Sequence, residues 1–408
     1  MVKIKNIFFI NLFILFPMIL FCTGCISNSD FVYEISGTTA LLSKYNGNDK
    51  TVTVSSTFIL GNKEYDVIGF KDYAFADCTF IEEVILEDGI KELGCYTFSG
   101  CSSLTKINIP NSVNCINVGA FYNCTKLNNV VIPNSVSYIY GLAFGGCTSL
   151  TNITLPKDLV GIDDSVFINC TSLEKIELPE SLDYISASVF ENCKSIKNIN
   201  IPEGVTSIGN RAFYNTSLDN IILPRSLTSL GNYVFTKTFI KKIDIPSGVF
   251  EISRSAFENC SNLEEIVLPE DISKIGKYAF KGCSSLKKIN IPNSVSSIEY
   301  ETFNNCISLG NIEIPDSVTL IEDFAFSGCS SLESIKTPNN LNKIGKYAFK
   351  DCKSLKNIII PKTVEFIDKN VFENCNSLSI KCELEYQPYN WDTMWNVSKC
   401  PVEWNYVI

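Results

Sequence analysis

Apolar and polar positions along this chain repeat with a period of 23 residues. A phenylalanine recurs at Phe75, Phe98, Phe121, Phe144, Phe167, Phe190, Phe213, Phe235, Phe257, Phe280, Phe303, Phe326, Phe349 and Phe372; every step is 23 residues except the two of 22 on either side of Phe235. A proline keeps the same beat from Pro110 to Pro361. One unit reads Leu104-x-x-Ile107-x-Ile109-Pro110-x-x-Val113-x-x-Ile116-x-x-x-Ala120-Phe121-x-x-Cys124. The alternation Ile107-x-Ile109 predicts a short strand with one face inward. Proline ends that strand because it has no N–H for the ladder. Val113 and Ile116 point back inward from the return limb, and Ala120-Phe121-x-x-Cys124 predicts a short turn or a single helical turn. A lone unit buries too little apolar surface to offset the ordering of its backbone, so units must stack and share faces. The pattern therefore predicts a β-rich solenoid with parallel strands, about 65 Å long at about 4.8 Å per coil.

Those residues carry a resemblance. Leu-x-x-Ile-x-Ile-Pro, then Ile, then Ala-Phe-x-x-Cys is similar to the leucine-rich repeats of BspA-like bacterial surface proteins, and the likeness covers roughly Phe31 to Ile408. It implies a leucine-rich repeat solenoid that binds proteins of the host cell surface or extracellular matrix, or neighbouring bacteria. The expected layout is an amino-terminal β cap at 31–70, repeats at 71–380 and an aromatic carboxy-terminal cap at 381–408. Within the first cap, Asn46-Gly47 is expected to be a hairpin turn.

The amino terminus reads as an address. Lys3 and Lys5 precede an apolar run from Ile7 to Cys22, broken by Asn11 and Pro17, too short for a membrane span and suited to a signal sequence over residues 1–24. Cys22-Thr23-Gly24-Cys25 resembles the lipobox of bacterial lipoproteins, which implies a lipid anchor on Cys25 to the outer membrane or cell surface, with 25–30 as a short polar tether. An ordinary secretory signal and an uncleaved anchor are the alternatives.

Composition narrows the chemistry. The 408 residues hold 34 Lys plus Arg, 44 Asp plus Glu and no His, for a net charge of −10. Without histidine there is no Ser-His or Cys-His couple and no imidazole metal ligand. No catalytic constellation and no cofactor motif is found, so the chain is expected not to be an enzyme. The acidic balance argues against nucleic acid. Of 18 cysteines, twelve stand three residues after a repeat phenylalanine. They are expected to be small buried residues at a fixed turn rather than disulfides or zinc ligands. The units after Phe213 and Phe235 lack this cysteine, as if the residue had been deleted. Cys382 and Cys400 flank the non-repetitive end, where a disulfide between them would add constraint.

The outward neighbours of the central strand isoleucine form a candidate binding face on the concave side. Down the stack they include Lys106/Asn108, Asn129/Val131, Asn152/Thr154, Lys175/Glu177, Asn198/Asn200, Asn220/Ile222 and Lys242/Asp244. They vary in charge and size while the inward positions do not, which fits a scaffold with a recognition face; a merely solvated sheet is the plain alternative. All three arginines, Arg211, Arg225 and Arg254, fall in the short units and with Lys237, Lys241 and Lys242 make a basic cluster. Such a patch suits an acidic partner or a sulfated glycan, or is a chance grouping. Trp391, Trp395 and Trp404 lie in the last stretch. They read as a lid on the open end of the core, with sugar stacking as the sharper alternative. The overall expectation is a cell-surface adhesion protein; the alternative is a periplasm-facing envelope lipoprotein that self-associates.

Overall fold

A computed structural model of the chain describes residues 24–28, as backbone, and 30–407. The leader expected at 1–24 lies outside these residues but for Gly24, as does the side chain of Cys25. The amino-terminal elements are β1 (Gly24–Asn28), β2 (Phe31–Ser36), β3 (Thr39–Tyr45), β4 (Thr51–Val54), β5 (Thr57–Leu60) and β6 (Lys63–Phe70). Five of them form one sheet in the order β1-β2-β3-β6-β5. Residues 25–28, the first part of the tether expected at 25–30, thus lie in a strand paired with β2, Cys25 opposite Glu34. Two-residue turns at Gly37 and Gly61, both with positive φ, close the β2–β3 and β5–β6 hairpins. Asn46-Gly47 is not a hairpin turn: β3 stays in the cap sheet, whereas β4 pairs in parallel with β7 (Glu83–Leu86) and so opens the repeat ladder.

From β7 the chain winds in coils. β7 pairs with β8 (Lys106–Ile107) in register Val84↔Ile107, and the same 23-residue register recurs at Val130↔Ile153, Ile266 and Ile335. The spans 198–200 and 220–222 hold the same place in the repeat without being strands. A second parallel ladder, not expected from the sequence, runs along the return limb, with Ile116, Ile139 and Ile162 in register.

The third side of each coil is a turn, and no helix occurs among the described residues. The single helical turn expected around the phenylalanine gives way to its companion reading, a short turn, for a visible reason. In all fourteen coils the residues two before and two after the phenylalanine have positive φ, as at Gly119 (60°) and Asn123 (59°) around Phe121. Two left-handed residues four apart break any helix. They also turn alternate N–H groups along the stack. Gly119, Phe121 and Asn123 donate to the Gly141, Ala143 and Gly145 carbonyls of the next coil at 2.8–3.0 Å. The second position after the phenylalanine is Asn, Gly or Asp in thirteen coils, the residues that tolerate this conformation. Its side chains also bond along the stack, Asn192 Nδ2 to Asn169 Oδ1 at 2.9 Å and Asn215 Nδ2 to Asn192 Oδ1 at 2.7 Å.

The core is a column. All fourteen phenylalanines are fully buried, and each ring stacks on the next with centroids 5.1–5.8 Å apart and planes within 25°. Tyr45 continues the column at the amino-terminal end (5.2 Å), and Trp395 closes it edge-on at the other (6.0 Å). Trp391 and Trp395 are buried, while Tyr386 and Tyr389 are exposed.

Beside the phenylalanines runs a ladder of thiols. Cys124 donates to the carbonyl of Phe98 in the preceding coil at 3.1 Å, and the arrangement repeats from Cys101 to Cys375 at 2.9–3.2 Å. The cysteine is thus a small donor as well as a small apolar filler. In the two short coils the residue is replaced rather than deleted: buried Thr216 and Thr238 occupy its place, with Thr216 Oγ1 donating to Phe213 O at 3.0 Å. The missing residue comes from the turn that follows. Cys382 and Cys400 are free and do not form the expected disulfide. Cys382 faces inward in a strand, in register with Ile360, while Cys400 lies over the Cys375 carbonyl at 3.4 Å, so different sides of the coil hold them.

Burial pushes these thiols up, Cys260 to about 11 and Cys147, Cys329 and Cys375 to about 12, from an ordinary 9.0. A folded pKa above the unfolded one means stability held below pH 9 and lost as pH rises above it, because only the unfolded chain ionises there. Each ladder thiol should steepen the alkaline loss of unfolding free energy by about 1.4 kcal/mol per pH unit. Cys147→Ala is expected to remove one such increment from the slope between pH 9.5 and 11, read by denaturant unfolding at stepped pH; an unchanged slope contradicts the thiol assignment.

Candidate binding faces

The first strand ladder presents two outward columns. Every residue singled out in the sequence on this face is exposed: Lys106, Asn108, Asn129, Val131, Asn152, Thr154, Lys175, Glu177, Asn198, Asn200, Asn220, Ile222 and Lys242. The isoleucines and valines between them are buried. The period-two alternation that makes the strand is what separates the two sets. Some of these residues are brought together in grooves between coils. Asn152, Thr154, Lys175 and Glu177 line one of about 510 Å³, and Asn220, Ile222, Lys242 and Asp244 line another of about 520 Å³. Large apolar side chains stand free along the same column, with Val131 62%, Ile222 75% and Val267 48% exposed.

Other members are already engaged. Lys106 pairs with Glu83 at 2.6 Å and Lys242 with Glu265 at 2.6 Å, each across one coil step. The hydrogen bond and charge of Glu265 hold the Lys242 ammonium above its usual range. Asn108 is structural. Its Oδ1 accepts from Leu86 N (2.8 Å) and its Nδ2 donates to Leu86 O (2.7 Å), continuing the ladder where backbone pairing ends. No sequence signal marks this role, because an outward asparagine that reaches back to the neighbouring strand looks the same as one that faces solvent.

The basic cluster divides. Arg211, Lys237 and Arg254 gather on the turn side in a cleft of about 360 Å³. Lys242 stands on the strand face, and Arg225, in the turn after Pro224, lies outside the cleft. What sequence reading missed there is tyrosine. Arg211 lies over both Tyr214 and Tyr233 at 5.1 Å, and Arg254 over Tyr278 at 5.2 Å. Tyr233 and Tyr278 occupy the left-handed position two before the repeat phenylalanine, a spacing visible in the sequence. A separate tyrosine pair, Tyr138 and Tyr184, meets hydroxyl to hydroxyl at 3.2 Å above Gly161, where a Cβ would strike the Tyr138 ring. Hydrogen bonding with Tyr184, followed by burial, pushes Tyr138 up.

Coil geometry and sequence agree with a known family. The BspA type Leucine rich repeat region matches in six copies over residues 68–197, 161–286 and 250–379, most of the chain. The chain belongs to the BspA-type leucine-rich repeat family. A search of curated proteins finds no match. Among solved structures, a leucine-rich repeat protein from Bacteroides ovatus is 30% identical, covers 93% of this chain and 99% of its own, and superposes with a TM-score of 0.83. A leucine rich cell surface protein from Faecalibacterium prausnitzii (23% identical, 94% and 95% covered, TM-score 0.52) and the pneumococcal vaccine antigen PcpA (19%, 94% and 99%, 0.55) share the fold. As a BspA-type array, the chain is a set of repeats of a kind that generally serves protein interaction.

The geometry separates two kinds of outward asparagine. Asn108→Ala should cost about 1–3 kcal/mol of unfolding free energy by orphaning the Leu86 backbone groups, whereas Asn129→Ala should stay within about 0.5 kcal/mol. Chemical denaturation of the two variants checks this, and equal effects would contradict it.

Proposed function

We propose that this chain is a non-catalytic, exported binding protein, lipid-anchored through Cys25, whose strand face attaches to proteins of the host cell surface, the extracellular matrix or neighbouring bacteria. One observation carries the reading: along one ladder the inward column is uniform and buried while the outward column changes from coil to coil. Inward uniformity is what stacking demands; outward variety is what recognition uses. The grooves between coils and the free Val131, Ile222 and Val267 side chains supply apolar anchors within a polar surround, the pattern of protein interfaces. Of the structures that share the fold, the F. prausnitzii chain is a cell surface protein and PcpA is a vaccine antigen. Both descriptions accord with export. An anchor at Cys25 meets the cap at once, since that residue's backbone is already in β1.

The test has two parts. Intact cells treated with protease should lose the protein, which separates surface display from a periplasm-facing envelope role. A chain of residues 25–408 on beads should capture a matrix or serum protein, and Ile222→Asp and Val131→Asp should each weaken that capture at least about tenfold, the loss of one interface anchor. Their melting temperatures should not move, because both side chains already face water. Capture indifferent to both substitutions would remove the strand face from the account.

A further inference from the structure

The turn-side cleft has its own chemistry, distinct from the strand face, and stands or falls independently of the reading above. It lies across four successive coils, two of them the short ones. Two of its three cations carry no acidic partner among the described residues. Elsewhere on this edge Lys281 is paired with Glu301 at 2.6 Å and Lys350 with Glu373 at 2.7 Å. In the cleft, Arg211 meets Glu191 at 3.4 Å, but Lys237 and Arg254 form no ion pair among the described residues. Glu258 is the carboxylate in the lining. With Glu191 counted, three cations meet two carboxylates, a small positive excess on a chain of net charge −10.

All three cations lie against aromatic rings, and only Arg211 also meets an acid. Arg211 rests on two tyrosines, Arg254 on one, and Lys237 lies 5.6 Å from the Tyr214 ring. Such contacts fix the cations without neutralising them. Lys237 also breaks the turn rule, as the one residue other than Asn, Gly or Asp at the left-handed position after the phenylalanine, at φ 60°. Beneath the cleft Ser255 is fully buried, and its hydroxyl has no hydrogen-bond partner among the described residues. From Tyr278 a row of rings continues along the edge through Tyr300, Phe324 and Tyr347, with neighbouring centroids 4.9–6.0 Å apart.

We propose that Arg211, Lys237, Arg254 and the flanking tyrosines form a binding site for an anionic glycan, a pyranose chain bearing sulfate or carboxylate groups. Half-buried aromatic rings that carry fixed cations match a pyranose with one apolar face and a charged substituent. A volume of about 360 Å³ lies at the small end of ligand sites, which run roughly 300–1,000 Å³, and suits one or two sugar rings rather than a protein surface. The aromatic row supplies places for the sugars that follow.

Isothermal titration of residues 25–408 with a heparin hexasaccharide, a hyaluronan hexasaccharide and maltohexaose tests this at low salt. At least one anionic oligosaccharide should bind, more weakly as salt rises, and maltohexaose should not. Lys237→Ser and Arg254→Ser should each weaken binding at least tenfold. Tyr278→Leu keeps every charge and should still weaken it at least fivefold. Lys157→Ser, in the exposed turn after Pro156 and outside both faces, should change nothing, and circular dichroism melting confirms that each variant is folded. Absence of binding by both anionic sugars overturns the proposal. So does full affinity in Tyr278→Leu, equal loss in Lys157→Ser, or a polyglutamate peptide competing as well as heparin, which would make the site a reader of charge alone.

Discussion

Each coil of this protein depends on the flat contact between its phenylalanine ring and the rings above and below. A single 23-residue unit has no interior of its own; its ring is buried only because neighbouring coils cover both faces. The ring-to-ring distance of 5.1–5.8 Å fits the coil spacing imposed by strand hydrogen bonding, about 4.8 Å, allowing for tilt and offset. Backbone pairing on three sides and ring stacking in the centre thus require the same step. This shared requirement explains why the period holds over fourteen coils and why the column must be closed by Tyr45 at one end and Trp395 at the other.

The two short coils show where the step is tolerant. Losing a residue after Thr216 and Thr238 leaves the rings stacked at 5.5–5.7 Å, because the deletion falls in an exposed turn and not in the strand or the ring-bearing turn. The thiol's donor role passes to a hydroxyl, which at Thr216 makes its own bond within the same turn. Departures from the repeat therefore accumulate on the outside, where they change surface chemistry without disturbing the column. The turn-side cleft, with its tyrosines and free cations, lies at such a place.

Most of the architecture was legible because burial leaves little choice. Phe121, Ile107, Ile116 and Cys124 are constrained by period and polarity, and each lies buried as its pattern indicates. Local backbone geometry was less legible. Ala120-Phe121-x-x-Cys124 has helix-compatible spacing, and only the recurring Asn, Gly or Asp at positions such as Asn123 and Gly146 marks a left-handed turn; a Cβ on Gly146 would collide with the Asn123 side chain. Asn46-Gly47 misled because turn chemistry is local while strand pairing is not, and β4 pairs across 32 residues with β7. The outward strand face was legible as a set of exposed positions, but not in its internal ties. The Asn108 bridge to Leu86 and the division of the basic cluster between two sides depend on which coil side each residue occupies.

The coil, on this reading, is the indivisible unit of stability. The most direct measurement is the thermal melt of two internal deletions, one removing a whole period, residues 269–291, and one removing only eleven residues, 269–279. If coils stack on a shared step, the whole-period deletion melts as one cooperative transition close to the parent temperature, while the shorter deletion throws the following rings out of register and loses that transition. Comparable melts for the two chains would contradict the account.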